Sequence, residues 1–339
     1  MSAEILQARR DGWLTRLTRG GSAAILALVL VALLAVFGLL LGDQLFSVGT
    51  LQSMAFQLPE LGILSLAMMV ALLSGGLNLS IIATANLCAL TMAWVLVNHA
   101  TGAQGAAAIG WEIAAIVSGV AVAALIGLIN GAVIAYLGVS PILATLGTMT
   151  MGKGLAIGLT RGNVISGFPE QIVFLGNGTI LGAPVAMIIF LVLCVPIAVL
   201  LNKSPFGQKI YMIGSNEKAT RFSGVDTRRV ILGVYVLSSL LAFVAALVMM
   251  ARFNSANASY GESYLLVTIL AAVLGGVDPF GGFGKVGGVV MALIVLQVIS
   301  SAFNLLNFSP FLTVAIWGAL IIGVTALGVL REAFGGLRR

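Results

Sequence analysis

The side chains that usually do chemistry are scarce in this chain and poorly spaced for it. There is one histidine, His99, with no HExxH around it and no paired carboxylates or thiol cluster elsewhere, so metal-assisted or hydrolytic chemistry lacks its parts. The two cysteines, Cys88 and Cys194, sit in apolar runs without CxxC or histidine company and read as small core hydrophobes. Lys153 and Lys285 each follow a glycine, but neither continues into the Ser or Thr of a GxxxxGK[ST] phosphate loop. The chain is therefore expected to be no enzyme and to bind no metal or cofactor itself. Its apolar stretches instead carry neutral hydrogen-bonding groups: Asn78, Asn86, Asn130, Thr145, Thr148, Gln297 and Asn304. Such groups suit an uncharged, polyhydroxylated solute, and singly each also serves as interhelical glue worth about 0.6 kcal/mol. An ion-coupled carrier shows ionisable groups within its spans. Glu60, beside Pro59, is the main acidic candidate and reads as a solvated carboxylate near the outer interface.

These groups need a scaffold, and the composition says which kind. Charged residues are 8% of the 339, against about 25% in a soluble chain, and AVILMFWYC residues are 60%. That is an all-α polytopic membrane protein. A helix needs about 20 apolar residues to cross ~30 Å of hydrocarbon. By that ruler about ten spans are expected, at 23–42, 54–73, 79–98, 111–136, 140–160, 184–201, 230–251, 263–277, 286–306 and 311–330. The stretch from Ser22 to Leu41 reads as the first span rather than a cleaved signal. Thirteen of the 17 Lys and Arg fall in three places, the N-terminal segment 1–22, the loop 202–229 and the tail 331–339. Six spans and then four between them put all three on the cytoplasmic side, around a single transmembrane domain over 23–330. The formal charge of +6 is thus a membrane-edge feature, and no basic helix interleaved with aromatics points to nucleic acid.

Two places break the simple hairpin pattern. Between Leu61 and Trp111 there is no charged residue, although the run holds two spans and the turn Ser74-Gly75-Gly76-Leu77-Asn78. Non-helical backbone at membrane depth must be packed in protein or line a wet cavity, so this turn is either a pathway wall or a glycine turn at the surface. The eighth span is short and runs into Gly275-Gly276-Val277-Asp278-Pro279-Phe280-Gly281-Gly282. The two segments match loosely at an offset of 200 residues, and broken spans in corresponding places are a pointer to a transport site. Small residues at 127, 130, 131 and 135, and again at 284, 287, 288 and 292, predict two smooth helix faces. In the basic loop, Ser215 followed by Asn216, Glu217 and Lys218 predicts an N-cap with an acid in the first turn. Gly224 predicts the stop, leaving a short helix that lies on a membrane surface or docks in a protein groove.

Taken together, Ser74 to Ser80, Gly127-Leu128-Ile129-Asn130-Gly131, Pro141 to Thr148, the loop from Phe206 to Gly224 and the run Leu274 to Gly282 resemble, in order, the membrane-spanning subunits of ribose-type bacterial ABC importers. The resemblance implies a permease of about ten helices in the bacterial inner membrane. It implies pairing with a copy of itself or a paralogous permease, a cytoplasmic tandem-domain ATPase carrying ATP and Mg, and a periplasmic binding protein that delivers the solute. By position it makes the Ser215–Gly224 helix the coupling helix, with Gly214, Ser215, Asn216, Glu217, Ala219, Arg221 and Gly224 as its ATPase-facing set. It sets Asn78 and the Gly-rich segments along the path, and with the neutral polar groups of the spans the expected path set is Gly75, Gly76, Asn78, Asn86, Asn130, Thr145, Thr148, Asp278 and Phe280. The chain departs from the pattern at Asn78, where an aspartate is usual. The expected cargo is a small neutral solute, a monosaccharide; a nucleoside or furanose-like signal molecule is the alternative, and an ion-coupled secondary carrier a more distant one.

Overall fold

The computed structural model describes residues 21–100, 102–103, 105–309, 312–319 and 322. The N-terminal basic segment, the tail and most of the predicted span 311–330 lie outside the described residues. Helices α1 (Gly21–Leu41), α2 (Asp43–Phe46), α3 (Val48–Leu73) and α4 (Ile81–Val95) come first, α4 running on into a π turn over Leu96–Ala100. They are followed by α5 (Ala106–Ala135), α6 (Pro141–Thr160), α7 (Glu170–Asn177), α8 (Val185–Lys203) and α9 (Pro205–Phe222). The chain continues through α10 (Thr227–Phe253), α11 (Tyr264–Leu274) and α12 (Val286–Leu305). Two antiparallel ribbons of two residues per strand, β1 (Ile165–Ser166) with β4 (Ser255–Ala256) and β2 (Thr179–Ile180) with β3 (Ala183–Pro184), tie down the connections beyond α6 and α10.

Seven of these helices, α4 counted with its π turn, are long and apolar enough to cross a membrane, and the stretch Leu26–Leu41 of α1 and the helix α11 add two shorter apolar segments. The protein is a multi-pass helical membrane protein. Apolar residues all round a helix remove the usual amphipathic signal, so start and stop residues set the bounds. Ser47 caps α3 by accepting a hydrogen bond from the Thr50 backbone N–H, and Asp226 caps α10 from Arg229. Pro59 and Pro196 lie inside α3 and α8 without ending them, which packed membrane helices tolerate.

The inner layer is α3, α4, α5 and α10, with α10 packed against the other three. From Ile63 to Leu73 almost every α3 side chain is buried. The predicted smooth face of α5 forms: a Cβ on Gly127 would stand 2.7 Å from Val236 Cα, and one on Gly131 2.8 Å from Leu232 Cα, so α10 lies directly on the α5 backbone. The second predicted face forms only in part. Gly284 precedes α12 rather than lying on it and Gly287 has no neighbour within 4 Å, while Gly288 and Ala292 are buried. The outer surface is apolar, with Leu125, Leu143, Leu155, Val192 and Val195 exposed as a hydrocarbon surround requires.

Candidate functional site

Three glycine-containing segments far apart in sequence meet at one point. Both broken spans end alike. After α3, Gly75 takes φ 81 with its N–H on Leu72 O and the Gly76 N–H on Ala71 O. After α11, Gly276 takes φ 85 with its N–H on Val273 O and the Val277 N–H on Ala272 O. Each is the same left-handed C-terminal cap. The structural correspondence therefore pairs Gly75 with Gly276, an offset one residue longer than the 200 read from the sequence, because the left-handed residue and not the Gly-Gly pair sets the register. The end of α3 and the loop that follows the α11 cap are joined by a hydrogen bond of 3.0 Å from Gly282 N–H to Leu73 O. Gly214 of α9 closes the junction: a Cβ on Gly281 would lie 2.8 Å from Gly214 Cα and 2.7 Å from Gly75 N. The neighbouring Tyr211 hydroxyl donates to Gly284 O at 2.9 Å, and partial burial holds this phenol above its ordinary pKa.

Helix α9 is broken at Asn216, whose extended backbone (φ −166°, ψ 100°) interrupts it. Asn216 Oδ1 accepts the Ala219 N–H at 3.0 Å, so Asn216, not Ser215, caps the short second helix. Serine and asparagine both cap well, and local spacing alone does not separate them. Glu217 Oε1 receives Arg221 Nη2 at 2.6 Å and the Thr227 hydroxyl at 3.4 Å, tying this helix to the start of α10. Gly224 follows it in the left-handed region at φ 83. Ser215, Asn216, Ala219, Arg221 and Phe222 are exposed, Phe222 at 92%. Glu217 and Arg221 line a cavity of about 480 Å³ together with Gly75, Gly76, Pro141 and Tyr235. The sets predicted for coupling and for the path thus share one cavity.

The remaining residues predicted for the path divide into three. Asn78, Asn130 and Thr145, all buried, form one chain with the half-buried Thr148. Asn78 Oδ1 accepts from the Ser80 hydroxyl at 2.7 Å, Asn130 Nδ2 donates to Ser80 Oγ at 2.9 Å, and the Thr148 hydroxyl donates to Asn130 Oδ1 at 2.7 Å. Thr145 Oγ1 accepts the Leu79 N–H at 3.1 Å. These groups face one another across α4, α5 and α6. Asn78 Nδ2 also donates to Ser238 Oγ at 2.9 Å, and that hydroxyl donates to Ala67 O. The departure from aspartate at position 78 has a local reason here, since a carboxylate cannot donate to a serine whose proton is already committed. Asn86 stands apart: its Nδ2 donates to Ala258 O and Tyr260 O, both at 2.9 Å, and its Oδ1 is buried without a protein partner. Asp278 and Phe280 belong to the glycine junction, Asp278 Oδ1 accepting the Phe280 N–H at 2.8 Å beneath an exposed Phe280 ring.

Reading Glu60 as a solvated carboxylate is overturned. It is 1% exposed, receives Arg252 Nη1 at 2.7 Å and the Tyr264 hydroxyl at 2.7 Å, and links α3, α10 and α11. The signal was present in the sequence as one acid and one base at the edges of apolar spans, but nothing local pairs positions 60 and 252. A second ion pair joins Lys153 to Glu262 at 2.8 Å. His99 lies between the rings of Trp94 and Trp111, at centroid distances of 5.4 and 4.5 Å, as an aromatic girdle residue would.

A multi-pass helical bundle in which two interrupted apolar helices meet the broken, polar helix α9 is the arrangement of a membrane transport component. The chain belongs to the family described as branched-chain amino acid transport system / permease component, whose pattern matches residues 50–325. It is 36% identical over 263 residues to the ribose import permease protein of Bacillus subtilis, covering 77% of this chain and 79% of that one. It is 30% identical to the autoinducer 2 import system permease protein of Photorhabdus temperata, covering 88% of each chain, and 30% identical to that of Salmonella typhi, covering 89% of each. No solved structure matches. The ribose-type resemblance read from five motifs thus extends over most of the chain, and the protein is a permease rather than an enzyme.

Proposed function

We propose that this chain is the membrane-spanning subunit of an ATP-driven importer and forms the translocation path for a small neutral solute, a monosaccharide delivered by a periplasmic binding protein. The observation that carries the reading is the junction of Gly75, Gly214 and Gly281, where the helix expected to face an ATPase touches the ends of two interrupted spans. In this reading nucleotide closure in a cytoplasmic tandem-domain ATPase, which holds the ATP and Mg, pushes on the exposed Ala219–Phe222 surface. The push passes across the Asn216 break to Gly214, and from there to the caps of α3 and α11. The α3 end and the loop after α11 move as one because Gly282 is hydrogen-bonded to Leu73. Contacts to solute along such a path are few and weak, since a conductor must release its cargo.

Helices α1, α3, α4, α5, α6, α8, α10, α11 and α12, together with the segment 311–330, make up the ten spans of this reading, within one domain of the inner membrane. Both termini and α9 lie in the cytoplasm, and a second permease subunit, a copy or a paralogue, completes the path. The autoinducer 2 import permeases among the relatives favour a second reading, in which the same machinery imports a signal molecule. The test is purification of the tagged protein from native membranes in mild detergent, with identification of co-purifying chains. A stoichiometric ATPase is expected; a lone oligomer without nucleotide turnover supports the ion-coupled carrier instead.

A further inference from the structure

The ion pair between Lys153 and Glu262 stands where an ion pair facing lipid would be costly. Lys153 is the thirteenth residue of α6, so at 1.5 Å per residue it lies roughly 18 Å from Pro141 and about 10 Å from Thr160, inside a ~30 Å hydrocarbon layer. Its side chain is nevertheless 43% exposed and that of Glu262 50% exposed. Charged groups at such depth face a protein interior or a water-filled cavity. This side of α6 is therefore wet.

Behind the pair lies a cavity of about 180 Å³ between α4, α6, the segment 257–263 and the start of α11. Ile82, Met149 and Leu265 give it apolar walls, the ion pair sits at its rim, and Asn86 lines it from α4. Asn86 is 1% exposed, both hydrogens of its amide are fixed on the Ala258 and Tyr260 carbonyls, and Oδ1 has no protein partner. A buried amide oxygen without a partner costs about 1–3 kcal/mol unless something supplies a donor. The cavity thus offers an unused acceptor in Asn86, a donor in Lys153 and an acceptor in Glu262 beside apolar walls. Hydroxyl groups, which both donate and accept, on a compact ring with C–H faces match that set. A carboxylate solute meets Glu262 and Asn86 Oδ1 as repulsive acceptors, and a cation gains from Glu262 but meets Lys153.

We propose that this cavity is a subsite for the hydroxyl groups of a monosaccharide in transit, with Asn86 Oδ1 as acceptor at its base and the Lys153–Glu262 pair at its rim. The inference rests on the transport reading above and deepens it.

The test has two arms on the reconstituted permease with its ATPase and binding protein. In the first, Met149→Cys in a Cys88→Ala, Cys194→Ala background is treated with a membrane-impermeant thiosulfonate. Labelling, slowed by the imported sugar, is expected; absence of labelling means the face is dry and overturns the proposal whatever the cargo. In the second, import of radiolabelled D-ribose and of a panel of pentoses and hexoses is measured for wild type, Glu262→Gln, Lys153→Met and Asn86→Leu. Glu262→Gln and Lys153→Met alter a half-exposed pair and should assemble with the ATPase at wild-type stoichiometry, while import at subsaturating sugar falls about tenfold, the scale of one hydrogen bond to a buried group. Wild-type import in all three variants overturns the subsite alone. Loss of import together with loss of assembly makes the pair structural and also overturns it. A wild type that imports none of the sugars overturns the transport reading, and the subsite with it.

Discussion

Arg252, in the last turn of α10, places its guanidinium 2.7 Å from the carboxylate of Glu60, which lies mid-way along α3 and is 1% exposed. The Tyr264 hydroxyl completes the cluster, so one buried acid holds three helices together. A buried pair of this kind is weak evidence of net stabilisation, but removing one partner strands the other charge.

Arg252→Met should therefore destabilise the detergent-solubilised protein by about 3–5 kcal/mol, and the double variant Glu60→Gln, Arg252→Met by much less. Thermal unfolding of the two side by side checks this. Equal losses would mean that the charges do not depend on each other.

Asn78→Asp restores the residue that the ribose-type pattern leads one to expect, yet in this chain it should destabilise. Asn78 is fully buried and its Nδ2 donates to Ser238 Oγ. The variant loses that donor and buries a carboxylate, and Ser238→Ala in the same chain, which removes the opposing oxygen, should recover part of the loss. Unfolding midpoints of the single and double variants give the coupling between the sites.

At the glycine junction the prediction is one of contrast. Gly281→Ala puts a side chain at φ 99 and within 2.7–2.8 Å of Gly75 and Gly214 backbone atoms, at a cost of roughly 2–4 kcal/mol. Gly287→Ala, within α12 and facing open space, should be neutral or stabilise by up to about 1 kcal/mol. Expression level and unfolding midpoint separate the two.

The short helix after Asn216 gives a functional prediction. Glu217→Lys sets an ammonium against Arg221, and Ala219→Pro removes the N–H that Asn216 Oδ1 accepts. Both should leave membrane insertion intact and uncouple ATP hydrolysis from solute uptake. Uptake at the wild-type rate in both variants would remove the coupling role from this helix.

Composition and basic residues made the membrane class and most spans legible, because a 20-residue apolar run has few other uses. Less visible was whatever depends on contacts between distant elements. The sequence relates the segments holding Gly75 and Gly281 only by a loose match and does not connect either with Gly214, while the structure puts all three in contact. Glu60 looked solvated because its partner lies 192 positions away. The cap of the short helix in α9 is displaced by one residue since Ser215 and Asn216 satisfy the same local rule. Asn78, Asn130, Thr145 and Thr148 were recognisable as polar residues in spans, but their chain of mutual hydrogen bonds appears only when α4, α5 and α6 are packed.

The central claim is that nucleotide turnover in a partner drives a neutral solute through this chain. It is tested most directly by uptake of radiolabelled sugar into proteoliposomes holding the permease, its co-purified ATPase and its binding protein, with ATP inside or outside the ATPase-facing compartment and with or without a protonophore. Uptake is expected to require hydrolysable ATP, to survive the protonophore and to be lost in Glu217→Lys. Uptake that persists without ATP and collapses with the protonophore would contradict it.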